Sequence, residues 1–371
     1  MLDVTSFRPH VEVVFDPLRL TKAASLNRTV LADLAGADAD LVGRHAYDLQ
    51  RLEALESLAA EHGIYAVQRT DVPRRLRAAL GSGDLAEVDR ARRVVAVFGQ
   101  RLGHLVATLR LGDDDASAWR TAYEGASSWR TAYCQHWRSV DRVWLGGGVV
   151  AALGGRLLQS ARAEARRLGV DDSTLDLAPH PDVLALVGAA RTRATPAPRS
   201  IVLDFGYSSV KRGIAQFQGG TLHRLEVLRG LPLGPLGLGS QSTADEVMHA
   251  VIGVIRATFQ EAQDNDPAAS LDAEVGVSLA TYLTDRRPFP SSELYDLLTD
   301  VDLDMLTAEL TRSTGVPLHV RFIHDGTAAA AALPSNGREG IIVLGTSLGA
   351  GFTLPDQRRL PLAADLEVHH L

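Results

Sequence analysis

Apolar side chains over residues 1 to about 140 recur with the period of a helix. In 38–63 and 85–111 they fall at i, i+3, i+4 and i+7, which predicts two long amphipathic helices. The pentapeptide WRTAY occurs twice in this region, at 119–123 and 129–133. A ten-residue offset turns a helix by about 1000°, about 80° short of a whole number of turns, so the two copies do not share a stripe. They read as a local duplication in an aromatic helix that serves packing or a subunit interface.

The pattern then shifts to short apolar runs. Val143 to Leu145 predicts a strand; Gly146, Gly147 and Gly148 follow it, then a helix over 155–169. ARTRATPAPRS (190–200) has linker composition. Beyond it, IVLDFG, VKRGIAQFQ and TLHRLEVLRGL predict three strands of an antiparallel meander. A helix (243–263), a strand (273–279), a helix (303–313) and a strand (317–323) complete a β-β-β-α-β-α-β series. A second meander is expected to open at 339–354, with only the segment to Leu371 left to finish it.

Composition narrows the class. The 371 residues carry a formal charge of −7, which disfavours nucleic-acid and membrane-surface binding and leaves a small-molecule substrate as the expected partner. One cysteine, Cys134, excludes an internal disulfide, and MLDVTSFRPH has no apolar signal core, so a cytoplasmic protein is expected. Lysine occurs only at Lys22 and Lys211.

Five motifs carry candidate chemistry. Asp204-Phe205-Gly206-Tyr207-Ser208 sits at a strand-to-strand turn, where glycine N–H groups and a hydroxyl suit a phosphate and the carboxylate suits Mg²⁺ through water; a plain hairpin is the alternative. Lys211 on the outgoing strand is a phosphate partner or a surface charge. Leu344 to Gly351, with Gly345, Thr346, Ser347 and Gly349, is a second turn of the same kind. Two such turns, each in a meander, would grip the phosphates of ATP from opposite sides. Asp325, between His324 and the small residues Gly326 to Ala330, is either a helix cap or the general base that accepts a substrate hydroxyl proton. Gly146 to Gly148 is a surface for adenosine or a tight turn. Glu367-Val368-His369-His370 can bind vicinal hydroxyls, a tag remnant being the other source of such histidines.

Together the motifs resemble the ROK family of bacterial sugar kinases and repressors, of the actin-like ATPase superfamily. DFGYSSVK is similar to its phosphate-1 pattern D-x-G-G-T-x-x-K, LGTSLGAG to phosphate-2, HDGTAAA to N-D-A-N-A-A-A, VWLGGGV (143–149) to its adenosine strand, and DVLALVGAARTR (182–193) to its terminal helix. The order is circularly permuted: the triple glycine precedes phosphate-1, and joining the present ends would restore the usual sequence. The resemblance implies a two-lobed α/β fold of the actin-like, ribonuclease H-like kind. Residues 1–185 would form the helical part of the large lobe, 186–200 a helix end and linker, 201–338 the small lobe, and 339–371 the rest of the large lobe.

It also implies ATP-dependent phosphorylation of a sugar or amino sugar, with Mg²⁺ at Asp204, in a homodimer. His324, Glu367 and His370, with Gly276 on the 273–279 strand, would contact the sugar. Tyr207 and Ser347 replace glycines of the phosphate loops, and His324 an asparagine. These changes motivate two other readings, a non-catalytic sugar or nucleotide sensor and a kinase of a non-sugar hydroxyl compound. The chain has no Cys-rich zinc motif.

Overall fold

The computed structural model describes residues 25–112, 126–193, 198–267, 270–284, 287–288, 294–334, 338–354 and 359–371. The first predicted helix is two: α1 (Ala46–Gln50) and α2 (Leu52–Glu61) meet at Arg51, whose extended backbone (φ −73°, ψ 160°) breaks the run. Next come α3 (Val72–Leu80) and α4 (Leu85–Leu111), the latter capped by Asp84, which accepts from Ala86 N. In α5 (Ala126–Ser139), Trp137 is fully buried edge-on to Phe352 (4.7 Å between ring centres), so this end of the aromatic segment is core. The first WRTAY copy lies outside the described residues.

Strand β1 (Arg142–Gly146) leads through Gly147 into α6 (Gly148–Arg167), then β2 (Leu175–Leu177) and α7 (Leu184–Arg191). The meander is as expected: β3 (Arg199–Phe205), β4 (Ser209–Gln218) and β5 (Thr221–Pro232). Thr243 and Glu246 close a reciprocal capping box on α8 (Ala244–Asn265). There follow β6 (Glu274–Leu279), the two-residue strands β7 (Leu283–Thr284) and β8 (Arg287–Pro288), α9 (Leu303–Thr314), β9 (His319–His324) and α10 (Asp325–Ala331). The chain closes with β10 (Glu339–Leu344), β11 (Leu348–Phe352) and β12 (Leu362–His370).

Among the described residues two main sheets form. One runs β12-β5-β4-β3-β6-β9, with β3, β6 and β9 parallel and β4 antiparallel to its neighbours. Its β5-β4-β3-β6-β9 portion is a meander continued by two parallel strands on the far side of its first strand, the ribonuclease H-like order. The other sheet runs β11-β10-β1-β2, with β1 parallel to both β10 and β2. The second meander stops at two strands: β12 leaves β11 and pairs in parallel with β5, on the edge of the other sheet. Glu367, expected in the sugar site, lies opposite Arg224 and His370 opposite Val227.

Each sheet buries one face under its own helices. Residues of α1–α6 pack with β1, β10 and β11 in one core, and α8 and α9 cover β3, β6 and β9 in another. A third core, built on α7 and α10, joins the two sheets. Small residues make that junction possible. A Cβ on Gly188 of α7 would overlap the Ala328 carbonyl of α10, and one on Gly351 of β11 would overlap the Gly326 carbonyl. Gly276 belongs to the same packing: a Cβ there would sit 2.9 Å from the Ala189 carbonyl of α7. Its glycine is therefore explained by a helix lying close on the sheet, and it is not among the residues that line the cleft described below. The outcome is a two-lobed α/β architecture of the actin-like ATPase kind, its two sheets joined through α7 and α10.

Candidate functional site

Parallel strands present their carboxyl ends to one side of a sheet, and ligands bind there. Here β3, β6 and β9 end toward β1 and β10, and the space between is a cleft of about 910 Å³. Register fixes what faces it. Asp204 lies opposite Ser278, and Leu279 opposite His324, so the two acidic segments are separated by only one strand.

Asp204 ends β3 and is nearly buried. Its Oδ1 accepts from Ser278 Oγ at 3.0 Å, and Lys211 Nζ lies 3.5 Å from Oδ2. Lys211 also donates to the Asp182 carbonyl at 2.8 Å, tying β4 to the segment that leads into α7. The turn after Asp204 is closed by Gly206 N–H to the Ser209 carbonyl (3.1 Å) and is held from below by Tyr295, whose hydroxyl donates to the Gly206 carbonyl at 2.8 Å. Burial, reinforced by the charge of Asp204, keeps that phenol protonated well beyond its ordinary range.

The Gly345–Gly349 turn is built alike, Gly345 N–H bonding the Ser347 carbonyl at 3.1 Å. The two turns come from different sheets, yet they meet: Thr346 Oγ1 donates to Ser208 Oγ at 3.0 Å. At the far wall, Gly147 has φ +95°, and a Cβ there would overlap the Leu344 carbonyl, so only glycine fits. Around Gly148 a Cβ would meet nothing within 4 Å, which leaves bare backbone at the start of α6 open to the cleft.

Asp325 opens α10 with its side chain one-third exposed to the cleft. Oδ1 accepts from Gly326 N–H at 2.6 Å and lies 3.1 Å from His324 Nε2. His324 caps α10: Nδ1 accepts from Thr327 N–H at 3.2 Å, which makes Nε2 the protonated nitrogen. The ring stacks on Tyr282 at 5.0 Å and is buried, and burial lowers its pKa to about 4.

The cleft thus gathers Asp204, Gly206, Ser208, Lys211, Gly345, Thr346, Ser347, Gly349, Gly147, Gly148, His324 and Asp325. Gly146 is not among its lining residues; its Cα faces Leu184 and Ile341. Glu367 and His370 are not there either. They stand on the β12 edge, where Glu367 meets His369 at 3.2 Å, because β12 joins the edge of the other sheet beside β5.

The wall that the motifs did not foretell comes from residues 27–74. Asn27, Tyr47, Arg51, Glu53, Arg69 and Arg74 line the cleft, with Arg51 over the Tyr47 ring at 4.9 Å and 3.3 Å from Glu53. Of these, only Tyr47, Arg51 and Glu53 fall in a stretch of helical periodicity (38–63), which marks them as no more than positions of a helix. Tyr282 was findable in principle, since it follows the carboxyl end of β6.

Asp204 fits a magnesium site of one kind only. Among the described residues no three acidic or histidine side chains converge, so a magnesium ion here would take its remaining ligands from water and phosphate, as that ion prefers. No described helix is long and apolar enough to cross a membrane.

No protein-family model matches the chain, and no curated protein matches it. Among solved structures it resembles the Aquifex aeolicus member of the Ppx/GppA protein family. That match has 17% identity and a TM-score of 0.23, and it takes in 39% of this chain and 43% of that one. So partial a likeness carries no weight for function. The class therefore rests on the strand order and on the two turns facing each other across the cleft: an actin-like ATPase fold with a nucleotide-sized site.

Proposed function

We propose that the protein is a circularly permuted kinase that transfers the γ-phosphoryl group of ATP to a hydroxyl of a sugar or amino sugar. The observation that carries the reading is the meeting of Ser208 and Thr346, which sets two glycine-and-hydroxyl turns against each other between Asp204 and Asp325. On this reading the turns at Gly206–Ser208 and Gly345–Gly349 hold phosphates, and the backbone at Gly147 and Gly148 lies along adenosine. Asp204 holds Mg²⁺ through water, and the ion supplies charge neutralisation on the phosphates. Asp325 takes the proton of the attacking hydroxyl as its oxygen bonds to the γ-phosphorus and the bond to the ADP oxygen breaks. Closure about α7 and α10 would exclude water from that step.

The permuted order has support in the second sheet. Strand β1, early in the chain, lies beside β10 as the next parallel strand of a lobe that β10 and β11 begin. The turn Leu26–Arg28 packs against β11, where such a lobe would continue. The test of function is ADP release from MgATP across a panel of hexoses and amino sugars. Asp325→Asn should lower turnover by a factor of about 100 or more while leaving the melting temperature in place. Full turnover in that variant would overturn the assignment of the base. ATP binding with no ADP release for any sugar would favour the sensor reading, which Tyr207 in the first turn motivates.

A further inference from the structure

We propose that the open edge of β12 pairs with the same edge of a second copy of this chain, antiparallel, about a two-fold axis at Val368. The pairing is independent of the kinase reading, because no residue of β12 lines the cleft.

Among the described residues β12 is the last strand of the six-stranded sheet, and only β5 pairs with it. Such an edge is a template for another strand, and proteins that keep it single blunt it with bulges or charge. The register shift between Leu362 and Glu367 blunts the first half of β12, whereas from Glu367 to His370 the register against β5 is unbroken. That straight stretch carries polar groups that complement one another. Glu367 and His369 share a face of the strand and are exposed, and the carboxylate already takes a hydrogen bond from His369 Nε2 at 3.2 Å.

The backbone selects the register. Leu371 N–H bonds the Val227 carbonyl, so the odd-numbered residues of this stretch turn their N–H and C=O groups toward β5. By alternation Val368 and His370 turn theirs to the open edge. Outward-facing residues must meet outward-facing residues, so the two-fold axis passes through a residue and not between two. An axis at Leu366 or Glu367 sets carboxylates of the two copies against each other. An axis at His369 or His370 leaves Glu367 with no imidazole opposite it. At Val368 the two valines exchange N–H···O bonds, and each Glu367 stands opposite the second copy's His369 in a non-hydrogen-bonded pair, where side chains come closest. On the other face Val368 meets its own copy. Leu366 and Val368 are only partly covered by the core between the sheets, and the pairing covers them further.

The experiment is sedimentation equilibrium of the full chain from about 1 to 200 µM, since so small an interface is weak and its dimer follows concentration. The wild type should approach twice the mass of one chain. Glu367→Lys sets a cation against the imidazole, and His369→Glu sets carboxylate against carboxylate; each should weaken association about 10-fold or more. An equimolar mixture of the two variants should recover it, because every crossed pair then joins a carboxylate to a donor. A wild type that stays monomeric, an association that both variants leave unchanged, or a mixture that fails to recover would each overturn the proposal. Amide exchange gives a second measure on the unaltered chain. The Val368 N–H should exchange more slowly as concentration rises, with the Leu371 N–H, bonded inside the chain, as reference. A Val368 rate that ignores concentration would also overturn it.

Discussion

Acidification should destabilise this protein through His324 before most of its carboxylates protonate. Unfolded, the imidazole binds a proton near pH 6.5; folded, burial lowers that value to about 4. Between these two values the unfolded chain holds more protons than the native one, so stability rises with pH across the window and is lost as pH falls through it. Worked through, His324 alone removes about 2 kcal/mol between pH 7 and pH 5, and about 3 kcal/mol by pH 4. His136 is lowered to about 4 as well, first by burial and then by the charge of Arg338, and it adds a loss of the same sign, smaller because its ring is only partly covered. The assay is urea unfolding at steps of half a pH unit from 5 to 7.5, with stability extrapolated at each step. His324→Asn should flatten that curve by about 2 kcal/mol over the interval, whatever its offset at neutral pH. A variant curve parallel to the wild type would refute the buried, neutral state of His324.

Glu367→Gln with His370→Gln should leave sugar-dependent ADP release within about twofold of wild type, because β12 lies outside the cleft; a loss of tenfold or more would restore the sugar role to that motif. Gly188→Val should destabilise by at least about 3 kcal/mol by chemical unfolding, since the obstruction is the backbone of α10 rather than a side chain that can swing aside; a stability within 1 kcal/mol of wild type would show that the helices do not meet there. A recut chain, 198–371 followed by 1–193, should fold with its thermal midpoint within about 5 °C of the original. An insoluble product would count against the permuted order.

The sequence made the β3-to-β9 part of the six-stranded sheet legible almost element for element, because β3, β4 and β5 are apolar-rich runs divided by short turns and α8 announces itself with Thr243 and Glu246 at capping spacing. Asp204, Asp325 and the two glycine-and-hydroxyl turns were legible for a different reason: close backbone approach demands small residues at fixed spacing, and that leaves a mark in one dimension. What was illegible depends on pairing at a distance. Nothing in LAADLEVHH says that it will extend the edge beside β5 rather than complete the lobe of β11. That pairing places Glu367 and His370 on a sheet edge, apart from the residues that line the cleft.

His324 shows the same division within one residue. Its position next to Asp325 could be read directly, and so could its departure from asparagine. The bonds that decide its role could not. The stack on Tyr282 needs the register of β6 against β9, and the tautomer needs the first turn of α10. Burial then makes the ring a poor proton carrier near neutral pH. A motif match to an asparagine would have put this side chain on the substrate; the structure makes it the cap of α10, with Nε2 3.1 Å from Asp325 Oδ1.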